Sequence, residues 1–296
     1  MDFALQLIFA GISVGAVYAL IAVGLSLTFL VSRVLNFGQG SLLMLTAMVM
    51  VALLGRGSAM LSAALVALGL AALLMVVVEW VAVRPATAGQ RTDTMGWVVS
   101  TLGIGILLQG FAAKFFGSQA VAFPSILFSS NDFVSLFGVR LSLQYLAVLA
   151  LAVALVLLLE LTLRRTQWGR AVRAVAHDPE LASLMAIPVR RTMLACFVLS
   201  GLLAGVAGLL VAQITGTVDP GFGFNLMVLG FVAAVVGGMG NTFGALAGGI
   251  TLGVLEKLVG GYVSTAAEHG IAFAVLMAIL AVRPQGLFGR SELLKA

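Results

Sequence analysis

Residues 142–163 read SLQYLAVLALAVALVLLLELTL, and residues 192–216 read TMLACFVLSGLLAGVAGLLVAQITG. Between them residues 168–191 read WGRAVRAVAHDPELASLMAIPVRR, a polar, arginine-rich island. The first run carries one charge, Glu160, and the second carries none. Each is long enough to cross a hydrocarbon core of about 30 Å as a helix. Similar apolar runs recur along the chain. Of its 296 residues 61% are hydrophobic and 9% charged, with a mean hydropathy of +1.17. A soluble chain needs more polar surface than that. The pattern predicts an all-α polytopic membrane protein, because only helices and closed barrels satisfy the backbone in lipid. A transmembrane barrel would instead alternate over segments of about ten residues.

Nine candidate spans follow: 3–30, 38–54, 59–83, 96–116, 142–163, 192–216, 226–237, 243–258 and 270–282. The last three are short, set off by GGMGN at 237–241 and GGYVS at 260–264. Short segments interrupted by glycine predict broken or re-entrant helices beside protein or a cavity. The expected total is therefore about eight to ten spans. They form a single transmembrane domain over 1–296, with a cytoplasmic loop at about 164–191 and a glycine-rich region at about 226–264.

Placing 164–191 in the cytoplasm puts the N-terminus outside and the C-terminus inside. Twelve basic residues then lie inside: Arg33, Arg84, Arg91, Arg164, Arg165, Arg170, Arg173, Arg190, Arg191, Arg283, Arg290 and Lys295. Four lie outside: Arg56, Lys114, Arg140 and Lys257. This is the positive-inside bias, so the net charge of +5 reports topology and not nucleic-acid binding. No basic residue precedes Arg33, so the first span is expected to be retained and not cleaved as a signal peptide.

Within the island, Asp178 can cap a helix, Pro179 suits its first position and Glu180 favours its positive end. Leu181, Leu184 and Met185 share one face, and Pro188 closes the unit. Before it, Arg170 and Arg173 lie on one helical face. Such a short amphipathic helix could rest on lipid headgroups or fill the groove of a partner domain.

The two histidines, His177 and His269, make no metal pair, and the lone Cys196 reads as a small buried hydrophobe. Gly11-Ile12-Ser13-Val14-Gly15 has the spacing of a nucleophile elbow but sits in an apolar run, where it reads as helix packing. The same small-residue spacing recurs at Gly201/Gly205, Gly244/Gly248 and Gly249/Gly253. The chain has no G-x-x-x-x-G-K-[ST] loop, so ATP would have to be bound by a partner. Asn36, Gln39 and Ser41 form an uncharged polar group, and Gly237, Gly238, Gly240 and Asn241 mark a helix break. Both sets admit a pathway reading and a packing reading. Glu79 and Glu160 are expected to meet arginine or water at inner span ends. Glu256 and Lys257 are expected to snorkel at an outer one.

GRAVRAVAHDPELASLMAIPV at 169–189, with Phe197, Ser200 and LAGVAG at Leu203–Gly208, resembles the cytoplasmic loop and next span of LivH-type permeases. The resemblance continues in YALIAVGLSL (18–27), LNFGQGSLLML (35–45), VVGGMGNTFGALAGGITLGVLE (235–256) and RPQGLFGR (283–290). It implies an inner-membrane subunit of an ATP-binding-cassette importer for branched-chain amino acids. Two cytoplasmic ATPases, a second permease and a periplasmic binding protein that delivers a small solute would be its partners. Asp178 to Ile187 would be the coupling helix, with Leu181, Ala182 and Leu184 in the ATPase groove and Arg170 and Arg173 orienting it. The sequence departs from the family at Ala186, where glycine is usual. It departs again at Asn36-Phe37-Gly38-Gln39-Gly40-Ser41, which often reads N-F-A-H-G-E. Importers of urea and short-chain amides share the pattern. A self-contained secondary transporter or channel is the alternative, set against the lack of a clear mid-span acid for ion coupling.

Overall fold

A computed structural model describes residues 2–85, 96–125, 128, 132–136, 139–283 and 285–288. Arg91, Arg290 and Lys295 of the charge count, and Pro284, Gly289 and Arg290 of the last motif, lie outside the described residues. Among the described residues, nine apolar helices follow the nine expected spans. They are α1 Asp2–Ser32, α2 Gln39–Gly55, α3 Met60–Val78, α4 Gly96–Phe116, α5 Leu143–Arg165, α8 Val189–Thr215, α9 Phe222–Gly237, α10 Thr242–Tyr262 and α11 Thr265–Val282. Two surface helices, α6 Gln167–His177 and α7 Pro179–Leu184, make up the island. Short strands β1 Val121–Ala122 and β4 Thr217–Val218 pair antiparallel, as do β2 Phe133–Leu136 and β3 Val139–Ser142. Six of the helices are long and apolar enough to cross a membrane; α2, α9 and part of α11 are shorter apolar helices. The chain is an all-α, multi-pass membrane protein.

One expected boundary moves. The GGYVS break does not end the helix at 258, because α10 runs through Gly260 and Gly261 to Tyr262. Both glycines face side chains: a methyl at Gly260 would stand 2.9 Å from Glu268 Oε2, and one at Gly261 would stand 2.4 Å from Leu7 Cδ1. With 21 residues, α10 is a full-length span and not a short one.

Contacts divide the chain into two compact units. One comprises Leu27–Ile126 and Leu157–Met227. In it α8 packs on α2 and α3, and α2 on α3 and α4. The residue pattern of α3 is that of a helix in lipid. Ala63, Ala67, Ala71 and Met75 are buried, whereas Leu61, Leu65, Leu73 and Val77 are exposed. Small residues on the inner face let backbones approach, and lipid tails solvate the large ones. Gly201 and Gly205 of α8 do the same: a methyl on Gly201 would sit 2.8 Å from Met75 Cβ, and one on Gly205 would sit 3.1 Å from Thr46 Oγ1. The α3 helix continues as a π-helical turn, Glu79–Val83. Glu79 is buried there and feels the charge of Arg190, so of its two expected partners it meets arginine and not water.

The other unit comprises Met1–Ser26, Leu127–Val156 and Val228–Ala296. In it the Gly11/Gly15 pair of α1 meets the Gly249/Gly253 pair of α10. A methyl on Gly15 would stand 2.5 Å from the Gly249 carbonyl oxygen, and one on Gly11 would stand 2.6 Å from Val254 Cα. The Gly-x-Ser-x-Gly motif is therefore a helix crossing. Its Ser13 is buried, and the hydroxyl donates to the Phe9 carbonyl 3.0 Å away. Glu256 does not snorkel. It is 1% exposed and hydrogen-bonds Tyr18, while Lys257 pairs with Glu268.

Candidate functional site

The island is built as a capped helix pair. The Thr166 hydroxyl accepts from Gly169 N at 3.1 Å and starts α6. Gly169 lets α6 turn back on the end of α5, since a methyl there would lie 2.6 Å from Leu163 Cα. Val172 and Val175 of α6 are buried, whereas Arg170 and Arg173 are exposed. The α7 helix then begins as expected: Asp178 Oδ1 accepts from Glu180 N at 2.8 Å and Leu181 N at 3.0 Å, and Pro179 occupies the first turn.

One face of this helix is anchored and the other is free. Ala182 packs with Leu27, Val31, Val172, Val175 and Cys196, and the half-buried Ile187 joins them. Opposite, Leu184 is 81% and Met185 77% exposed, with Leu181 and Glu180 beside them. Ala182, expected among the groove contacts, is thus only 4% exposed and belongs to the anchor. The reason is its position one residue after Leu181, about 100° round the helix. The helix ends on Ala186 in the left-handed region (φ 59°), and Ile187 N donates back to the Ala182 carbonyl at 3.1 Å. It is also the position at which the resemblance implied glycine.

The arginines divide. Arg173 Nη1 donates to the Leu163 carbonyl and so holds α6 to α5, not α7 as expected. Arg170 is exposed. A residue not singled out from sequence ties the island to α1: Arg33 Nη2 donates to the Ala176 carbonyl at 3.1 Å. Its only sequence signal is to be the first basic residue after a span; the 143-residue separation hides the partner.

Asn36, Gln39 and Ser41 do not act alike. Asn36 is fully buried. Its Oδ1 accepts from Gly38 N at 3.0 Å, an Asx turn that starts α2, and its amide nitrogen lies 3.2 Å from Met75 Sδ. Gln39 is also fully buried and accepts from the Ser200 hydroxyl at 3.2 Å. Ser41 donates to the Gly105 carbonyl at 2.8 Å and lines a cavity of about 280 Å³. The cavity lies between α2, α4 and the start of α9. Phe37, Met44, Leu102, Ile106, Phe224 and Pro220 line it, with Gln109 and the backbones of Gly40, Gly105 and Gly223. Asn36 and Gln39 are not among the residues that line it.

Gly237, Gly238, Gly240 and Asn241 form a tight turn. Gly238 (φ 95°) and Gly240 (φ 86°) take conformations that favour glycine. Asn241 caps α10 by accepting from Phe243 N at 3.1 Å and Gly244 N at 3.2 Å, and its amide donates to the Phe288 carbonyl at 3.2 Å. The Val236 and Gly237 carbonyls accept from Leu287 N and Phe288 N. These backbone groups are satisfied by the segment that follows α11.

Comparison with known proteins agrees with this architecture. The family described as the branched-chain amino acid transport system permease component matches residues 7–281. The permease protein LivH of the high-affinity branched-chain amino acid transport system of Salmonella typhimurium is 34% identical over 98% of this chain and 97% of its own. The corresponding BraD protein of Pseudomonas aeruginosa is 32% identical over the same shares. Among solved structures, PsaBC from Streptococcus pneumoniae in complex with Fab superposes with a TM-score of 0.51. The match covers 97% of this chain and 94% of that one at 16% identity, a likeness of fold. The relatives with near full-length matches are transport permeases. The chain belongs to the branched-chain amino acid transport system permease family.

Proposed function

We propose that this protein is the membrane-spanning permease subunit of an ATP-driven importer in a bacterial inner membrane. It moves branched-chain or related small neutral amino acids handed over by a periplasmic binding protein. The observation that carries this reading is the α7 knob. A six-residue helix, capped at Asp178 and anchored through Ala182, holds Leu184 and Met185 in the open. Two bulky apolar side chains on a rigid surface mount suit a hydrophobic groove in a partner. The partner is a cytoplasmic ATPase, two copies of which bind the ATP that this chain has no loop to hold. A second permease, either a copy of this chain or a related one, completes the pathway. The solute passes along the Ser41 wall, while the turn at Gly237–Asn241 keeps α9 and α10 in place.

The test is ATP-dependent uptake of labelled leucine into proteoliposomes holding the assembled transporter. Leu184→Asp puts a charge into the groove contact and is expected to lower uptake at least 100-fold with normal membrane insertion. It should also release the ATPase on affinity purification. Normal uptake and a retained ATPase would end the coupling assignment.

A further inference from the structure

A cavity of about 280 Å³ lies between α2, α4 and the start of α9. No charged side chain lines it. Phe37, Ile106 and Phe224 give it an aromatic and aliphatic wall. Its polar side chains are Ser41, whose proton is committed to the Gly105 carbonyl, and Gln109. Among the described residues the half-buried Gln109 side chain makes no hydrogen bond. An amide on an apolar helix is costly when it is left unpaired. A groove filled only by lipid tails has no use for it, whereas a solute with a polar group beside an apolar one pairs it. The floor cannot grow. A methyl at Gly40 would stand 2.8 Å from the Gly223 carbonyl oxygen, and one at Gly105 would stand 3.2 Å from Ser41 Oγ. At about 280 Å³ the space falls just below the roughly 300–1,000 Å³ of drug-sized sites. It suits one small solute.

We infer that this cavity receives the uncharged aliphatic end of the transported solute. Ile106 and the two phenylalanines set how large that end can be, and Gln109 binds the polar group next to it. The inference rests on the permease reading above. Acidic and basic side chains are turned away because the wall offers them no counter-charge.

The experiment uses the assembled transporter in proteoliposomes, with leucine, alanine and lysine as probes. Ile106→Trp narrows the cavity from an exposed position on α4, where the larger ring can be accommodated without disturbing the core. It is expected to lower leucine uptake about tenfold more than alanine uptake, the scale on which apolar pockets discriminate by size. Gln109→Leu is expected to raise the KM for leucine about tenfold while the complex assembles normally. Lysine is expected to stay excluded throughout. Wild-type uptake of leucine with an unchanged leucine-to-alanine ratio in Ile106→Trp and an unchanged KM in Gln109→Leu would overturn the cavity assignment alone. So would loss of a tightly held phospholipid from Ile106→Trp, seen by native mass spectrometry, without a change in that ratio. Absence of ATP-dependent leucine uptake in the wild type would instead overturn the permease reading, and the cavity's role with it.

Discussion

Ala186 and Gly15 show how much one side chain decides. Ala186 holds the left-handed conformation that closes α7, at a cost of about 1–2 kcal/mol for a residue with a Cβ. Glycine would remove that cost but add unfolded-chain entropy of about 0.4–1 kcal/mol. Ala186→Gly is therefore expected to raise stability by about 0.5–1 kcal/mol, read as the denaturation midpoint in detergent. A fall would mean that the turn does not strain Ala186. Gly15 is the opposite case. Its Cα lies against the α10 backbone, so Gly15→Leu has no space at the crossing with Gly249. The expected outcome is loss of the monodisperse folded protein on size exclusion, well beyond the 1–3 kcal/mol of ordinary overpacking. A normal elution profile would place the crossing elsewhere.

At the scale of elements, the island and the α9–α10 turn are the two places where local chemistry sets a shape. The cap, the proline and the apolar face of α7 were all legible in the sequence, because each is a matter of spacing within one short segment. Which apolar residue faces inward was not legible. Ala182 is buried because α6 and the end of α1 lie beneath it. Arg173 turns to α5 for the same kind of reason. At the GGMGN segment, Leu287 N and Phe288 N donate to the Val236 and Gly237 carbonyls, a link from outside the segment that its own residues do not announce. Gly240→Leu would force a bulky side chain onto φ 86° and is expected to lower leucine uptake at least tenfold together with the yield of folded protein. Unchanged uptake at normal yield would remove the turn from the functional account.

For the whole molecule, orientation rests on charge. On the positive-inside bias the island is expected on the cytoplasmic side. The single Cys196 is buried, so replacing it by serine gives a cysteine-free background. A cysteine placed at Ser183, which is exposed, is expected to react with an impermeant maleimide only in inside-out vesicles. Labelling in right-side-out vesicles would invert the topology and exclude α7 from contact with a cytoplasmic ATPase.

The sequence by itself determined that this is a helical membrane protein, where its spans lie and where its surface helix starts. Those properties depend on hydropathy summed along a segment and on caps within a few residues. Only the tertiary structure decided what the glycines and buried polar residues do. The Gly11/Gly15 motif marks a helix face open to close packing, and the fold supplies Gly249 and Gly253 as its partner. Asn36, Gln39 and Ser41 look alike in sequence. Yet two are consumed in holding α2 and one opens on a cavity, because their partners Met75, Ser200 and Gly105 come from three other helices. Hydrogen bonds and close contacts across tens of residues leave no periodic trace in one chain, so the site emerges only when the helices are brought together.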